Sequence, residues 1–388
     1  MRKLFHLSGN LLAITLICGT AFAGSTPRYL ITNDDVSGNF TPNSLTFYPI
    51  QAHGCLTLSQ QVQIGVTGLP GGLFPAKRLV ALNVSGNQCV FASVAATGLI
   101  SGVDVTTLTY EGDAQGSSQD TGLSNGIGLA LNNHYLYASF TDSSDIGTFQ
   151  IGGNCSLSFL GDLNVSGLQG GIVDGMAVHG NLLVVTYGDG SIESFNIADG
   201  IPVSNGDKQN STGSVGGSSY PSAVDITRDG HFALFGDTST ATQIEVSDIS
   251  SGKLGQTVVF RSSLGINSSN ILLSPDETLL YIANTQGDAV TAAFFDRKSG
   301  RLRNGCMSNY LKGYSSVWSY LSALAMPSEK GNGGGVYVAE FGVPAGIAMV
   351  QLSVSNGSCT LKEAPGSPVQ DPNSPGLLSI TTFPPRSF

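Results

Sequence analysis

Leu272-Leu-Ser-Pro-Asp-Glu-Thr-Leu-Leu-Tyr-Ile-Ala-Asn284 reads as two apolar segments joined by a polar turn. Ile271-Leu-Leu273 is too short for a helix, and Ser274-Pro-Asp-Glu277 follows it with residues suited to a tight turn. Leu280-Tyr-Ile-Ala-Asn284 then has the aromatic and β-branched content of a strand. Beyond a second polar turn, Ala289-Val-Thr-Ala-Ala-Phe294 supplies another. The same order recurs along the chain, with Thr227-Arg-Asp-Gly230 as a second copy of the first turn. Aligning Leu30, Phe91, Tyr137, Val184, Leu234, Tyr281 and Tyr337 yields seven copies spaced by 46 to 61 residues. Strands and turns repeating at about fifty residues predict an all-β fold, a seven-bladed β-propeller.

The two chain ends extend this reading. The first copy starts at Tyr29–Asn33 without the strand that should precede it, and Gly376-Leu-Leu-Ser-Ile-Thr-Thr382 has the character of that missing strand. Pairing the two would close the ring and hide a sheet edge. Solenoid repeats are mostly shorter, and stacked sandwiches need no fixed period. One closed propeller over residues 24–388 is therefore the expected organisation.

Composition agrees. Charged residues make up 11% of the 388, against about 25% in ordinary domains, and 51 residues are glycine. Helices need charged solvent faces, so a mainly helical protein is excluded, as is a disordered one. Residues 1–23 read as a signal peptide: Arg2 and Lys3 precede a short apolar core, Leu11 to Cys18, and Ala21-Phe-Ala23 is a cleavage site. Ile17 is too bulky for the position before a lipid-modified Cys18. Cleavage leaves 15 basic against 27 acidic residues, a net charge of −12, and sends the chain to the periplasm or outside the cell. With no basic cluster and no further long apolar run, nucleic acid is not an expected partner and no membrane span is expected.

Cys55, Cys89, Cys155, Cys306 and Cys359 remain, an odd number with connectivity open. None forms a CxxC pair, so no metal or other cofactor is indicated. His134, His179 and His231 precede the aligned strand on three successive blades. Packed sheets about 10 Å apart cannot bring equivalent turns to one ion with ~2 Å bonds, so these read as surface histidines. Asp34-Asp35 and Gly188-Asp-Gly190 lack the alternating ligands of a calcium loop. Gly122-Leu-Ser-Asn-Gly126 matches a nucleophile-elbow pattern, but no helix is predicted after Ser124.

The Leu272–Asn284 stretch, continuing to Phe294-Phe-Asp-Arg-Lys-Ser-Gly-Arg-Leu302, resembles a blade of the lactonase-type seven-bladed propellers. These include propeller-type 6-phosphogluconolactonases, carboxymuconate cyclases and exported YVTN-repeat proteins. Tyr281-Ile-Ala-Asn284 is the YVTN-like element, with weaker echoes at Asp225–His231 and Val336–Glu340. The resemblance implies a lactonase-like propeller with its site at the mouth of the central channel. Such a site takes a small molecule or protein partner at the top face, or opens a lactone ring.

The residues expected there stand just before the inner strands, where the entry loop should open onto the channel: Lys77 and Arg78, Asn125, Asp174, Tyr220, Asn270, Trp318 and Tyr320. Arg78 would orient a carboxylate through its planar fork, and Asp174 would act as a base on water if burial raised its pKa. Trp318 and Tyr320 offer stacking surface for a ring, with Lys77, Asn125, Tyr220 and Asn270 as further ligand contacts. The competing reading is that these residues satisfy loop backbone groups.

Overall fold

A computed structural model describes residues 28–34, 42–51, 54–57, 59–65, 77–84, 86–94, 97–117, 127–140, 143–211, 221–237, 243–265, 268–284, 288–311, 320–327, 335–341, 346–355, 357–370 and 379–386. The signal-peptide expectation for residues 1–23 lies outside them.

The described residues form seven antiparallel sheets. Blade 1 holds β1 (Tyr29–Asn33), β2 (Asn43–Pro49) and β3 (Gln60–Ile64). Blade 2 holds β4 (Leu79–Val84), β5 (Asn87–Val94), β6 (Leu99–Asp104) and β7 (Thr109–Gln115). Blade 3 holds β8 (Ile127–Leu131), β9 (Tyr135–Phe140), β10 (Asp145–Ile151) and β11 (Leu157–Asn164). Blade 4 holds β12 (Val173–His179), β13 (Leu182–Tyr187), β14 (Ser191–Asn196), β15 (Val203–Ser204) and β16 (Gln209–Asn210). Blade 5 holds β17 (Pro221–Ile226), β18 (Phe232–Asp237), β19 (Gln243–Asp248) and β20 (Thr257–Arg261). Blade 6 holds β21 (Ser268–Leu273), β22 (Leu279–Asn284), β23 (Ala289–Asp296) and β24 (Arg301–Met307). Blade 7 holds β25 (Tyr320–Ala325), β26 (Gly335–Phe341), β27 (Gly346–Ser355), β28 (Ser358–Glu363) and β29 (Val369–Gln370). The last strand, β30 (Ser379–Phe383), returns to blade 1.

There β30 pairs with β1 in antiparallel register, Leu30 opposite Thr382 and Asn33 opposite Ser379. Each innermost strand touches the next around the ring, from β30 through β4, β8, β12, β17, β21 and β25 back to β30. The molecule is a seven-bladed β-propeller closed by its two chain ends. The seven aligned residues all fall on the second strand of a blade.

Burial explains the composition. The strands β8, β13 and β22 are buried at every residue because neighbouring blades cover both faces. The outer strands β7 and β11 are largely exposed or half-buried, and there the polar residues collect. The aligned tyrosines also tie blades together: Tyr137 donates its hydroxyl to the Gly200 carbonyl of blade 4 (2.9 Å), and Tyr337 to the Gly54 carbonyl of blade 1 (2.6 Å). Burial leaves such a hydroxyl only the neighbouring turn as partner.

Two disulfides add covalent ties. Cys89 on β5 bonds Cys155, in the short turn after β10, and Cys306 on β24 bonds Cys359 on β28. Both join adjacent blades, and Cys55 keeps a free thiol.

Candidate functional site

Chain direction defines the two faces. The innermost strands of blades 2 to 7 begin at the top face and end in the turn to the second strand at the bottom face, so Lys77, Arg78, Asp174, Asn270 and Tyr320 belong to the top.

Lys77 and Arg78 knit three blades together where blade 2 begins. The Lys77 carbonyl accepts from Leu129 N (2.7 Å), the Arg78 carbonyl accepts from Ser93 N (3.0 Å), and Arg78 N donates to Ser379 Oγ (3.4 Å). The Arg78 side chain is 1% exposed. Asn270 is also buried, within β21. Tyr320 opens β25 opposite Phe341. Asn125, Tyr220 and Trp318 lie outside the described residues, as does the Gly122–Gly126 pattern.

Asp174 sits at an irregularity. The β12–β13 register shifts between Val173 and Gly175, which leaves Asp174 as the extra residue. The same shift recurs early in the innermost strand of three more blades, at Ser222, Ser269 and Ser322. Bulges re-aim a side chain out of the strand alternation, and in this set Asp174 is the acidic member. A β-carbon on Gly188 would stand 3.2 Å from Asp174 Oδ2, so the absence of a side chain at 188 makes room for the carboxyl. Burial, reinforced by the nearby Asp189 charge, pushes Asp174 up to about 7. Burial acts on Asp189 too, but hydrogen bonds from Ser191 and from Gln169 N outweigh it and hold that carboxyl below its usual value. Two neighbouring carboxyls are thus driven apart in acidity.

Further down the axis lies a cavity of about 130 Å³. Six innermost strands contribute Ala81, Leu129, Met176, Leu272, Leu324 and Ile380 to its wall, and β17 contributes Asp225. The half-buried Lys77 lines it as well, its ammonium crossing from blade 2 to donate to the Val224 carbonyl of blade 5 (3.0 Å). Burial lowers the Lys77 pKa, with Asp225 opposing and Arg386 assisting.

The chain end closes the bottom of this cavity. After β30, Pro385 and Arg386 enter the channel. Arg386 donates to Asp225 Oδ2 (3.0 Å) and to the carbonyls of Leu273 (3.1 Å) and Ile226 (2.7 Å), and lies 3.5 Å from Glu277. Below this plug a second cavity, of about 520 Å³, is lined by Asn83, Asn132, His134, His179 and Asn181 with Pro385 and Arg386. His134 and His179 therefore share a bottom-face hollow, while His231 stands one blade on beside Asp229 (3.6 Å).

Sequence reasoning missed Arg386, Asp225 and Glu277. Asp225 carried a usable signal, a lone acid in an otherwise apolar innermost strand. Arg386 carried only its place shortly beyond an expected closing strand.

Two solved structures, each described as a putative 6-phosphogluconolactonase, share this architecture. The one from Bacteroides fragilis aligns with a TM-score of 0.68 at 14% identity, covering 93% of this chain and 99% of that chain. The one from Bacteroides uniformis aligns at 0.67 and 13% identity, covering 92% and 100%. In fold, this is a lactonase-like propeller. A protein of unknown function from Desulfotomaculum acetoxidans is similar too, at a TM-score of 0.60 and 10% identity over 91% of this chain and 98% of that chain. No family model and no curated protein matches the sequence. Among the described residues no helix is long and apolar enough to cross a membrane.

Proposed function

We propose that this lactonase-like propeller is exported and binds a small molecule in its axial channel, reached from the top face. The axial cavity carries the reading: apolar walls from the innermost strands surround the Lys77 ammonium and the Asp225–Arg386 ion pair, the mixture of apolar surface and sparse polar anchors that small-molecule sites use. Export is supported by the leader-like residues 1–23 and by two disulfides, bonds that persist in oxidising compartments. The test is ligand-observed NMR of the mature chain against a metabolite library, repeated on a cavity-filling Leu129→Trp variant. Ligands of the channel lose their signal in the variant. Ligands that bind it unchanged overturn the channel reading.

A second reading, lactone hydrolysis, draws on the contrast between Asp174 and Asp189. A carboxyl with its pKa near 7 is half ionised at neutral pH and suited to take a proton from water attacking a lactone carbonyl. Arg78 would orient the substrate's carboxylate or phosphate. A lactone and ester panel, run with and without divalent metal, distinguishes the two. Turnover abolished by Asp174→Ala supports hydrolysis, and its absence across the panel leaves binding.

A further inference from the structure

The axial cavity contains three charged groups, and their partners are unevenly shared. Asp225 is saturated: Oδ2 accepts from Arg386 Nη1 (3.0 Å) and Leu273 N (2.9 Å), and Oδ1 accepts from Ile226 N (3.0 Å). Its negative charge is thereby committed to Arg386, with which it forms a buried ion pair. Lys77 makes no such ion pair, and the Asp225 charge acts on it only beyond contact distance. Among the described residues its one hydrogen-bond acceptor is the neutral Val224 carbonyl, and no carboxylate comes within ion-pair distance. An ammonium carries three donors, so two remain for an occupant of the cavity.

Arg386 divides its charge between Asp225 and Glu277 (3.5 Å), which leaves Lys77, among the described residues lining this space, the charged group without a direct ionic partner. The rest of the wall is mainly Leu, Val, Met, Ala and Ile, with Thr381, Thr382 and Pro385. An uncompensated ion in such surroundings is costly, and an opposite charge placed beside it interacts far more strongly than it would in water. A neutral apolar occupant would fill the volume and leave the ammonium unanswered. A cationic occupant would meet Lys77 and Arg386 with Asp225 already taken.

We propose that the axial cavity is a binding site for a small apolar monocarboxylate, its carboxylate on Lys77 Nζ and its hydrocarbon part against Ala81, Leu129 and Met176. This rests on the channel-binding reading and gives that reading its ligand class. Size limits the class to short-chain or single-ring acids: the cavity of about 130 Å³ is close to the ~150 Å³ engineered cavity that takes up benzene. The plug formed by Pro385 and Arg386 stands between the site and the bottom-face hollow.

Isothermal titration calorimetry of the mature protein with butyrate and benzoate, against butyramide and benzamide, tests this. The carboxylates are expected to bind at least tenfold tighter than the isosteric amides. Lys77→Gln should erase that preference while leaving amide binding in place. Ala81→Leu, which keeps the charge and fills the space, should abolish binding of both, and it serves if Lys77→Gln does not fold. Equal binding of acids and amides overturns the anion proposal and leaves the channel reading standing. Binding of neither overturns both. A preference that survives Lys77→Gln but vanishes in Arg386→Gln places the anion at the bottom face and also sinks the proposal.

Discussion

Glu277 occupies a backbone position that glycine holds in the sister turn. Ser274–Glu277 and Thr227–Gly230 are the same turn on adjacent blades, and both final residues have left-handed backbone, φ 67° at Gly230 and 55° at Glu277. A non-glycine residue there costs about 1–2 kcal/mol. What offsets it is the carboxylate's capture: Arg297 Nε lies 2.9 Å away, Arg386 3.5 Å, and Arg228 N donates to Glu277 Oε1 (2.5 Å). The turn was legible from Ser, Pro and Asp, whereas its last residue's role depends on two arginines distant in sequence. Asp174 yields a prediction at this scale. Its pKa is raised in the folded state, so folding binds a proton between the ordinary carboxylate value and about pH 7, and stability falls as pH rises through that window. Glu340, buried and facing the charges of Glu363 and Asp288, is also pushed up to about 7 and adds to the same slope. Asp174→Asn should therefore stabilise the fold at pH 8 by on the order of 2–4 kcal/mol and change little at pH 4. Urea unfolding at both pH values measures it; equal effects would show that Asp174 is not held protonated.

Among the elements, the innermost and second strands were the easily read ones. Both faces are covered by neighbouring blades, so β8 is apolar throughout and β22 as far as Asn284, and both stand out from the turns that flank them. The bulges early in β12, β17, β21 and β25 left no such trace, because one inserted residue does not disturb a segment without alternation. Disulfide pairing was equally silent, since it depends on which outer elements of adjacent blades meet. The Cys306–Cys359 bond links the outer strand β24 of blade 6 to the outer strand β28 of blade 7. Replacing both cysteines with serine should lower stability by about 2–4 kcal/mol while leaving β-sheet content intact. Chemical denaturation with circular dichroism tests this, and an unchanged midpoint would mean that the blades dock without the bond.

For the whole molecule, the C-terminal segment has two separable jobs. Ser379–Phe383 complete blade 1, and Arg386 plugs the channel against Asp225 and Glu277. Ending the chain after Leu378 leaves β1 unpaired along that edge and removes the buried Ile380 and Phe383, so no cooperative folding transition is expected. Ending it after Phe383 keeps the ring but strips two buried carboxylates of a partner, at a cost of about 3 kcal/mol. Calorimetric scans of the two truncations separate these outcomes, and identical behaviour would refute the division.

The sequence by itself determined the blade count, the strand order within a blade and the closure by both chain ends. All three follow from a repeated apolar pattern, and burying that pattern requires seven sheets packed side by side in a ring. Lys77 and Asp174 could be named as candidates from their expected place just before an inner strand. Only the tertiary structure decided that Lys77 reaches across the axis without an ion pair among the described residues, that Asp174 stands on a bulge beside Asp189, and that Arg386 fills the bottom of the channel. The Lys77 and Arg386 relations join residues from different blades, up to 161 positions apart, and the Asp174–Asp189 relation joins separate strands of blade 4. The repeat, which makes the blades alike, carries no record of how their few charged residues meet at the axis.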